Sequence, residues 1–363
     1  MKKLIANEEH RANLITLAKE YLRSAQSYPR DENNEPTEEY LEYLSLMYDE
    51  EIVKIMLKFP IMPGSRSIKK VAKELNMDVD ELIKKLETHA KRGFVQKLGK
   101  RYSRPSPLQV HDLPFILQEN LDREDVVEFA RLSREYFDGG YYKPWETSRS
   151  GTPRSRVLTV SEKVELNHQI VPMEEVYNIL EQQTDIVVFP CPCRQRKEVE
   201  GIRKCKDKYP INNCINFGVF AKGLLALGDP AIKKISVDEA KKLAEEAAEL
   251  GLVHMTDNIS DDSHILCACC ECCCGNLAGL VRFKDNPRAI AKANYISTVD
   301  EDACIACGTC VDRCKFDAIT IEDHAIISLD NCVGCGLCAV TCPEEAIIMK
   351  HMEREVYPEM RKR

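Results

Sequence analysis

Apolar residues recur at helical spacing from the start of the chain. Leu4, Leu14, Leu17, Ala18 and Leu22 share one face, which predicts an amphipathic helix over 1–26. Residues 27–47 are acidic and polar around Pro29 and Pro36 and end in a Tyr- and Leu-rich helix. Beyond Asp49 the pattern sharpens into three helices. The first, 50–59, stops at Pro60. The second, 65–75, turns Ile68, Val71, Ala72 and Leu75 inward, and the third, 79–92, does the same with Leu82, Ile83, Leu86 and Ala90. Asn76-Met77-Asp78 makes the turn between the last two. Gly93 ends the third, and 94–102 reads as a short hairpin about Gly99.

Residues 107–180 show less periodicity. Pro114 and Pro144 interrupt them, Trp145 is the only tryptophan, and the Gly-Gly-Tyr-Tyr run at 139–142 reads as a loop. Arg149, Arg154 and Arg156 lie among Ser148, Ser150 and Thr152, a solvated connection leading to a strand at 157–160. The run 186–189 is continuously apolar, the mark of a buried strand, and ends in Pro190-Cys191-Pro192-Cys193-Arg194. After an apolar stretch over 217–227, Ser236 and Glu239 form a capping box. Ala240, Leu243, Ala244, Ala247 and Leu250 make the inner stripe of the helix that follows, and Gly251 closes it. A strand is expected over 252–254.

The order of elements in 49–106 resembles a winged helix-turn-helix domain. Charge adds to that picture and complicates it. Between Gly64 and Ser106 there are twelve Lys and Arg against five Asp and Glu. Yet the helix that would read bases begins with Asp78, Asp80 and Glu81, which suit the helix dipole and repel phosphate. Lys84, Lys85, Lys91, Arg92, Lys97, Lys100, Arg101 and Arg104 lie further on. From Asp300 to Lys350 the sign reverses, with ten acids and three bases. Docking against an acidic redox partner, or the chain's own acidic tail, is the preferred reading over DNA.

With 44% hydrophobic and 30% charged residues, the composition is that of a water-soluble protein of two or three domains. No stretch approaches a membrane span, and 1–26 lacks the apolar core of a signal peptide. Eighteen cysteines without such a signal point to metal sites in a reducing cytoplasm, and their sensitivity to oxidation to an anaerobic host.

The cysteines fall into two regions. In the C-terminal one, Cys304, Cys307, Cys310 and Cys314 repeat as Cys332, Cys335, Cys338 and Cys342, each run spaced C-x2-C-x2-C-x3-C. Asp302, Gly308 and Ala318-Ile319 recur as Asp330, Gly336 and Ala346-Ile347. Zinc sites usually pair C-x2-C knuckles across a longer gap. The pattern instead resembles the bacterial-type ferredoxins that carry two [4Fe-4S] clusters. That resemblance, over residues 295–350, implies a duplicated unit about a pseudo-twofold axis in which the fourth cysteine of each run serves the other cluster. One cluster then takes Cys304, Cys307, Cys310 and Cys342, the other Cys332, Cys335, Cys338 and Cys314. Lys315 stands where the family has proline, as at Pro343. A cation there favours the reduced form of the adjacent cluster and raises its potential.

The central region holds ten more cysteines. Cys191, Cys193, Cys205 and Cys214 could form one site, with Arg194, Arg196, Arg203 and Lys204 offsetting the thiolate charge. Cys267, Cys269, Cys270, Cys272, Cys273 and Cys274 crowd six thiols into eight positions, which apolar packing does not explain. As a helix or as a strand, such a run faces two ways and can serve two centres, or one centre and a reactive thiol pair. One or two additional iron–sulfur clusters, a zinc site and metal-free redox thiols are the readings. His254 and His264 lie nearby, each more simply a packed or surface residue than a ligand. From 157 to 350 the chain is similar to ferredoxin-tailed iron–sulfur proteins of anaerobes, a likeness that implies no reaction.

The expected fold is α+β: N-terminal helices (1–48), a winged-helix-like domain (49–106), a connecting region (107–180), a cysteine-rich α/β domain (181–288), a dicluster ferredoxin domain (289–352) and a tail (353–363). No dinucleotide or nucleotide-phosphate fingerprint is present. The leading function is a cytoplasmic electron-transfer protein, a component of an oxidoreductase system with an unidentified redox partner protein. The alternatives are a redox-sensing regulator that binds DNA through the winged helix, and a reductase whose central site is catalytic.

Overall fold

The structure is a computed structural model, and it describes residues 4–23, 27–117, 122–148, 150–161, 172–259 and 263–352. Two compact units divide the chain. The first comprises residues 1–145 with two later segments, 192–202 and 224–232; the second comprises 146–191, 203–223 and 233–363.

In the first unit the helix Glu8–Glu20 is capped by the Asn7 side chain and buries Leu14, Leu17 and Ala18. The expected stripe ends there. The chain tightens at Tyr21–Arg23, so Tyr21 turns into the core and Leu22 is left 53% exposed. The helix Glu50–Met56 is followed by strand β1 (Arg66–Ser67), helices Ile68–Leu75 and Val79–Lys91, and strands β2 (Gln96–Leu98) and β3 (Arg101–Ser103). The three strands form an antiparallel sheet in the order β1–β3–β2, with Gly99 (φ +63°) at the hairpin turn.

The segment expected to be a linker is packed. Ser106 and Gln109 form a capping box with Pro107 at the first helical turn, and the helix Pro107–Ile116 runs through Pro114 without breaking. Pro114 has no N–H for the carbonyl of Val110, and the buried hydroxyl of Tyr43 donates to that oxygen instead, at 2.8 Å. Around this helix lies an aromatic cluster. His111 sits 4.6 Å from Trp145 and stacks on Phe137 at 5.4 Å, with Tyr136 and Tyr141 closing the group. The Gly-Gly-Tyr-Tyr run belongs to a wide helical turn with Gly140 at φ +130°, and Pro144 lies within the helix Tyr142–Glu146.

The second unit is built on a six-stranded antiparallel sheet of strands β4 (Ser155–Val157), β5 (Ile186–Phe189), β6 (Cys214–Phe217), β7 (Lys233–Ile235), β8 (Val253–Asp257) and β9 (Ile265–Cys269). Their order is β4–β8–β9–β6–β5–β7. The helix Val237–Leu250 has the capping box and the Gly251 close (φ +86°) expected of it, and buries Ala240, Ala244, Ala247 and Ala248. Leu250, assigned to the same stripe, is 38% exposed because it sits at the last turn, beside the cap. Arg154 donates to Asn276 and Arg156 stands 4.0 Å from Glu175, so these two arginines are fastened to the unit, while Ser150 and Gly151 are exposed; Arg149 lies outside the described residues.

Two short ribbons complete the second unit: β10 (Tyr295–Val299) with β13 (Ile347–His351), and β11 (Ile319–Ile321) with β12 (Ala325–Ile327). Positive φ angles recur in step along the duplicated cysteine runs, at Ala306 and Gly334, Gly308 and Gly336, and Asp317 and Glu345. Sequence repeat and backbone repeat coincide.

Candidate metal centre

The ferredoxin-like ribbons set their cysteines in two places. Cys304, Cys307, Cys310 and Cys342 line one cavity together with Ile305, Thr309, Ala325 and Pro343. Cys307 is exposed there, and hydrogen bonds from Thr309 hold its thiol below the usual range. The amide of Ala325 points at the Cys304 Sγ at 3.4 Å. The second group is deeper. Burial pushes the Cys335 thiol well up, with Cys338, Cys332 and Cys314 as charged neighbours. The Ser297 Oγ lies 3.2 Å from the Cys338 Sγ.

This second group faces the six-stranded sheet. The Val160 amide donates to Cys335 O at 3.1 Å, and the Thr159 hydroxyl to Gly334 O at 2.7 Å. Arg313 donates from Nη2 to the carbonyls of Ala248 and Glu249, at 2.8 and 2.6 Å, at the carboxyl end of the helix Val237–Leu250, where a cation suits the dipole. Gly251 suits that point: its φ is +86°, and a Cβ would come within 2.6 Å of the guanidinium, which would have to shift. Lys315, next to Cys314, reaches Glu271 at 3.5 Å, its side chain only 8% exposed.

Glu271 belongs to the turn in which three thiols of the central run meet a fourth from elsewhere. Strand β9 is extended, so the run is neither all helix nor all strand: it leaves the sheet after Cys269 and folds into a turn over 270–274. There the Cys205 Sγ lies 3.9 Å from Cys270 and 3.7 Å from Cys273, and the Cys272 Sγ lies 3.8 Å from Cys270 and 3.5 Å from Cys273. All four sulfurs are within 4.8 Å of one another, and among the described residues this is the one set of potential metal ligands packed so closely. Four thiolates at about 2.3 Å from a single tetrahedral ion stand roughly 3.8 Å apart. The observed spacing therefore suits one ion, whereas a cubane spreads its ligands further.

Electrostatics point the same way. A hydrogen bond to Cys270 and then burial push the Cys205 thiol up, while Arg203 pulls it down; Cys273 is pushed up by Cys270 and Cys272. Four thiols in this space do not ionise together without a cation among them. Arg203 donates to Cys205 O at 3.4 Å and Arg282 to Cys273 O at 3.3 Å, so both guanidinium groups flank the tetrad.

Of the set Cys191, Cys193, Cys205 and Cys214, one member belongs to the tetrad. Cys205 joins the later run; Cys214 is on β6 and Cys191 just beyond β5; Cys193 lies on the helix Pro192–Val199 of the first unit. Of the cations assigned to that set, Arg203 is beside Cys205, but Arg196 pairs with Asp112 at 3.3 Å and lies 4.4 Å over the Phe115 ring. His254 is a packed residue. It is buried, its Nε2 meets Ala244 O at 3.0 Å, and burial lowers its pKa to about 4. His264 sits 3.6 Å from Asp257. Sequence reasoning missed Glu271, Arg282 and the pairing of Cys205 with residues more than sixty positions away; only the unusual Lys315 hinted at that contact.

Residues 297–349 match the family described as a 4Fe-4S dicluster domain. The match is confined to the C-terminal part of the chain. No curated protein sequence and no solved structure matches it. A domain of this kind suggests iron–sulfur electron transfer, and the central tetrad could hold a further metal. No helix among the described residues is long and apolar enough to cross a membrane.

Proposed function

We propose that this chain is an iron–sulfur electron-transfer protein, passing single electrons between a partner protein and its central thiol tetrad by way of two [4Fe-4S] clusters. Clusters of this type supply one-electron transfer. In the crossed pattern, Cys304, Cys307, Cys310 and Cys342 hold one and Cys332, Cys335, Cys338 and Cys314 the other. The carrying observation is the contact between Lys315 and Glu271, which fastens the loop after Cys314 to the turn bearing Cys270, Cys272 and Cys273.

The three thiol groups then have an order. Exposed Cys307 and Ile305, 62% exposed, mark the end open to a partner. The acidic character of residues 300–350 favours a basic partner surface. The buried group around Cys335 lies between, and the tetrad, ringed by Arg203, Arg282 and Lys315, is the inner end. Four protein thiolates fill a tetrahedral ion's coordination, which weighs against a reductase with an open substrate position, and an electron route that ends at the tetrad requires the ion there to be iron, because zinc has no redox chemistry. Support for a DNA-binding regulator is weaker. The strand, helix, helix and hairpin order of the first unit fits a winged helix, but Asp78 caps the helix Val79–Lys91, and Lys85 is paired with Glu51 at 2.8 Å.

The test is metal and sulfide analysis, with electron paramagnetic resonance, of the full chain purified without oxygen. The wild type should hold about eight irons in two cubanes, plus an iron bound by the four thiolates of the tetrad. Cys270→Ser with Cys272→Ser should remove that ion and leave the cubane signals. Zinc alone, without a low-potential one-electron signal, would sink the proposal.

A further inference from the structure

The tetrad uses three thiols of the six-cysteine run, and the strand geometry of β9 accounts for the others. Side chains alternate along a strand, so Cys267 and Cys269 share one face and Ala268 takes the other. On β8, His254 pairs with Ala268 and reaches Ala244 of the helix Val237–Leu250, while Val253 and Met255 pair with Cys269 and Cys267 on the opposite face. The neighbouring strand adds a fourth thiol. Ile215 pairs with Leu266 and Asn216 with Ile265, and the Phe217 amide donates to His264 O, so the next step of the register sets Cys214 opposite Cys267. Directly opposed residues of an antiparallel pair hold their Cβ atoms about 5 Å apart on the same face.

Cys274 comes back to this place. The turn that carries the tetrad closes with the Cys274 amide donating to Cys270 O at 3.2 Å, and Cys269 and Cys274 lie in the same buried cluster. Cys269, Cys274 and Cys214 are 7%, 4% and 5% exposed. Cys269 and Cys274 belong to the apolar core of the second unit, against which Cys267 and Cys335 also pack. Four thiols gathered in a core fill space no better than alanine or valine and are open to oxidation.

We propose that Cys214, Cys267, Cys269 and Cys274 form a second central thiolate centre, separate from the tetrad, that binds an iron–sulfur cluster, whose ligands stand further apart than those of a single ion. The run thus divides where the strand ends: thiols on the sheet serve one centre, and Cys270, Cys272 and Cys273 in the turn serve the other, with Cys274 returning to the first. The proposal uses none of the tetrad's thiols and stands if the tetrad proves metal-free.

Native mass spectrometry of the full chain, purified without oxygen, tests it directly. The wild type should exceed Cys269→Ser/Cys274→Ser by one metal complement, and Cys214→Ser, on a different strand, should lose the same increment. Cys270→Ser/Cys272→Ser should retain it. An increment of iron with matching sulfide supports the cluster, and an increment of a single ion without sulfide overturns it. Should a double variant fail to fold, the wild type still decides: a total no greater than two cubanes and one ion overturns the proposal, as does an increment that survives loss of Cys269 and Cys274.

Discussion

Replacing Lys315 by methionine keeps most of the side-chain volume and removes one positive charge beside Cys314. The side chain is 8% exposed and its Nζ is 3.5 Å from Glu271, so water screens it poorly. With neighbouring Cα atoms 3.8 Å apart and a lysyl arm that reaches about 6 Å, the charge stands on the order of 9 Å from a cluster held by Cys314. At an effective dielectric constant of about 20, two unit charges at that distance interact by about 1.8 kcal/mol. For a one-electron couple this is about 80 mV. Reduction adds a negative charge, so losing the cation lowers the potential. Glu271 acts in the opposite sense, and Glu271→Gln should raise it by a smaller amount. The double variant should fall between the wild type and Lys315→Met. An anaerobic redox titration followed by electron paramagnetic resonance resolves the two clusters, and the one assigned to Cys304, Cys307, Cys310 and Cys342 should move less. An upward shift in Lys315→Met, or one below about 20 mV, would refute the placement of this charge in the electron route.

Two further predictions concern stability. Burial raises the Glu146 pKa to about 7, despite hydrogen bonds from the Gly279 amide at 2.7 Å and Asn286 at 2.9 Å, while burial lowers that of His254 to about 4. Stability from Glu146 is complete below its unfolded value of 4.5 and lost as pH rises through about 7; that from His254 is complete above 6.5 and lost as pH falls through about 4. Each limb amounts to about 3 kcal/mol at most, and Glu146→Gln should flatten the alkaline one in anaerobic thermal unfolding between pH 5 and 8; an unchanged slope rejects the assignment. Gly334→Ala would bring a Cβ within 2.0 Å of Tyr295 O at φ +76°, so it should lose iron on gel filtration, whereas Gly308→Ala, with open space around it, should show only the roughly 1–2 kcal/mol cost of a left-handed backbone. Equal iron loss in the two would contradict this.

Local signals carried through to the structure wherever the physics is local. The capping box at Ser236 and Glu239 and the left-handed Gly251 bound their helix as read, and the cysteine repeat predicted matching backbone turns. Reading failed where a distant group supplies what the local chain lacks. Pro114 looks like a break until Tyr43 replaces the missing donor, and Leu22 looks buried until the helix ends at Glu20. The partition of the central cysteines has the same cause. Cys205 meets Cys270 across 65 positions, and no spacing rule carries that information.

The duplicated half-domains have come to differ according to what lies against them. Around Gly308 there is open space; its counterpart Gly336 has Thr159 and Ser161 close against it. Ala306 tolerates the turn that only glycine fits at 334, and Pro343 occupies the place where Lys315 reaches Glu271. The position built from Cys332, Cys335, Cys338 and Cys314 is held to its neighbours by contacts that restrict further substitution, while the one around Cys307 keeps the freedom to change with its partner. A symmetric ancestor docked by one face would acquire a direction in this way, with an inlet and an outlet distinguished by the residues that each copy can still exchange.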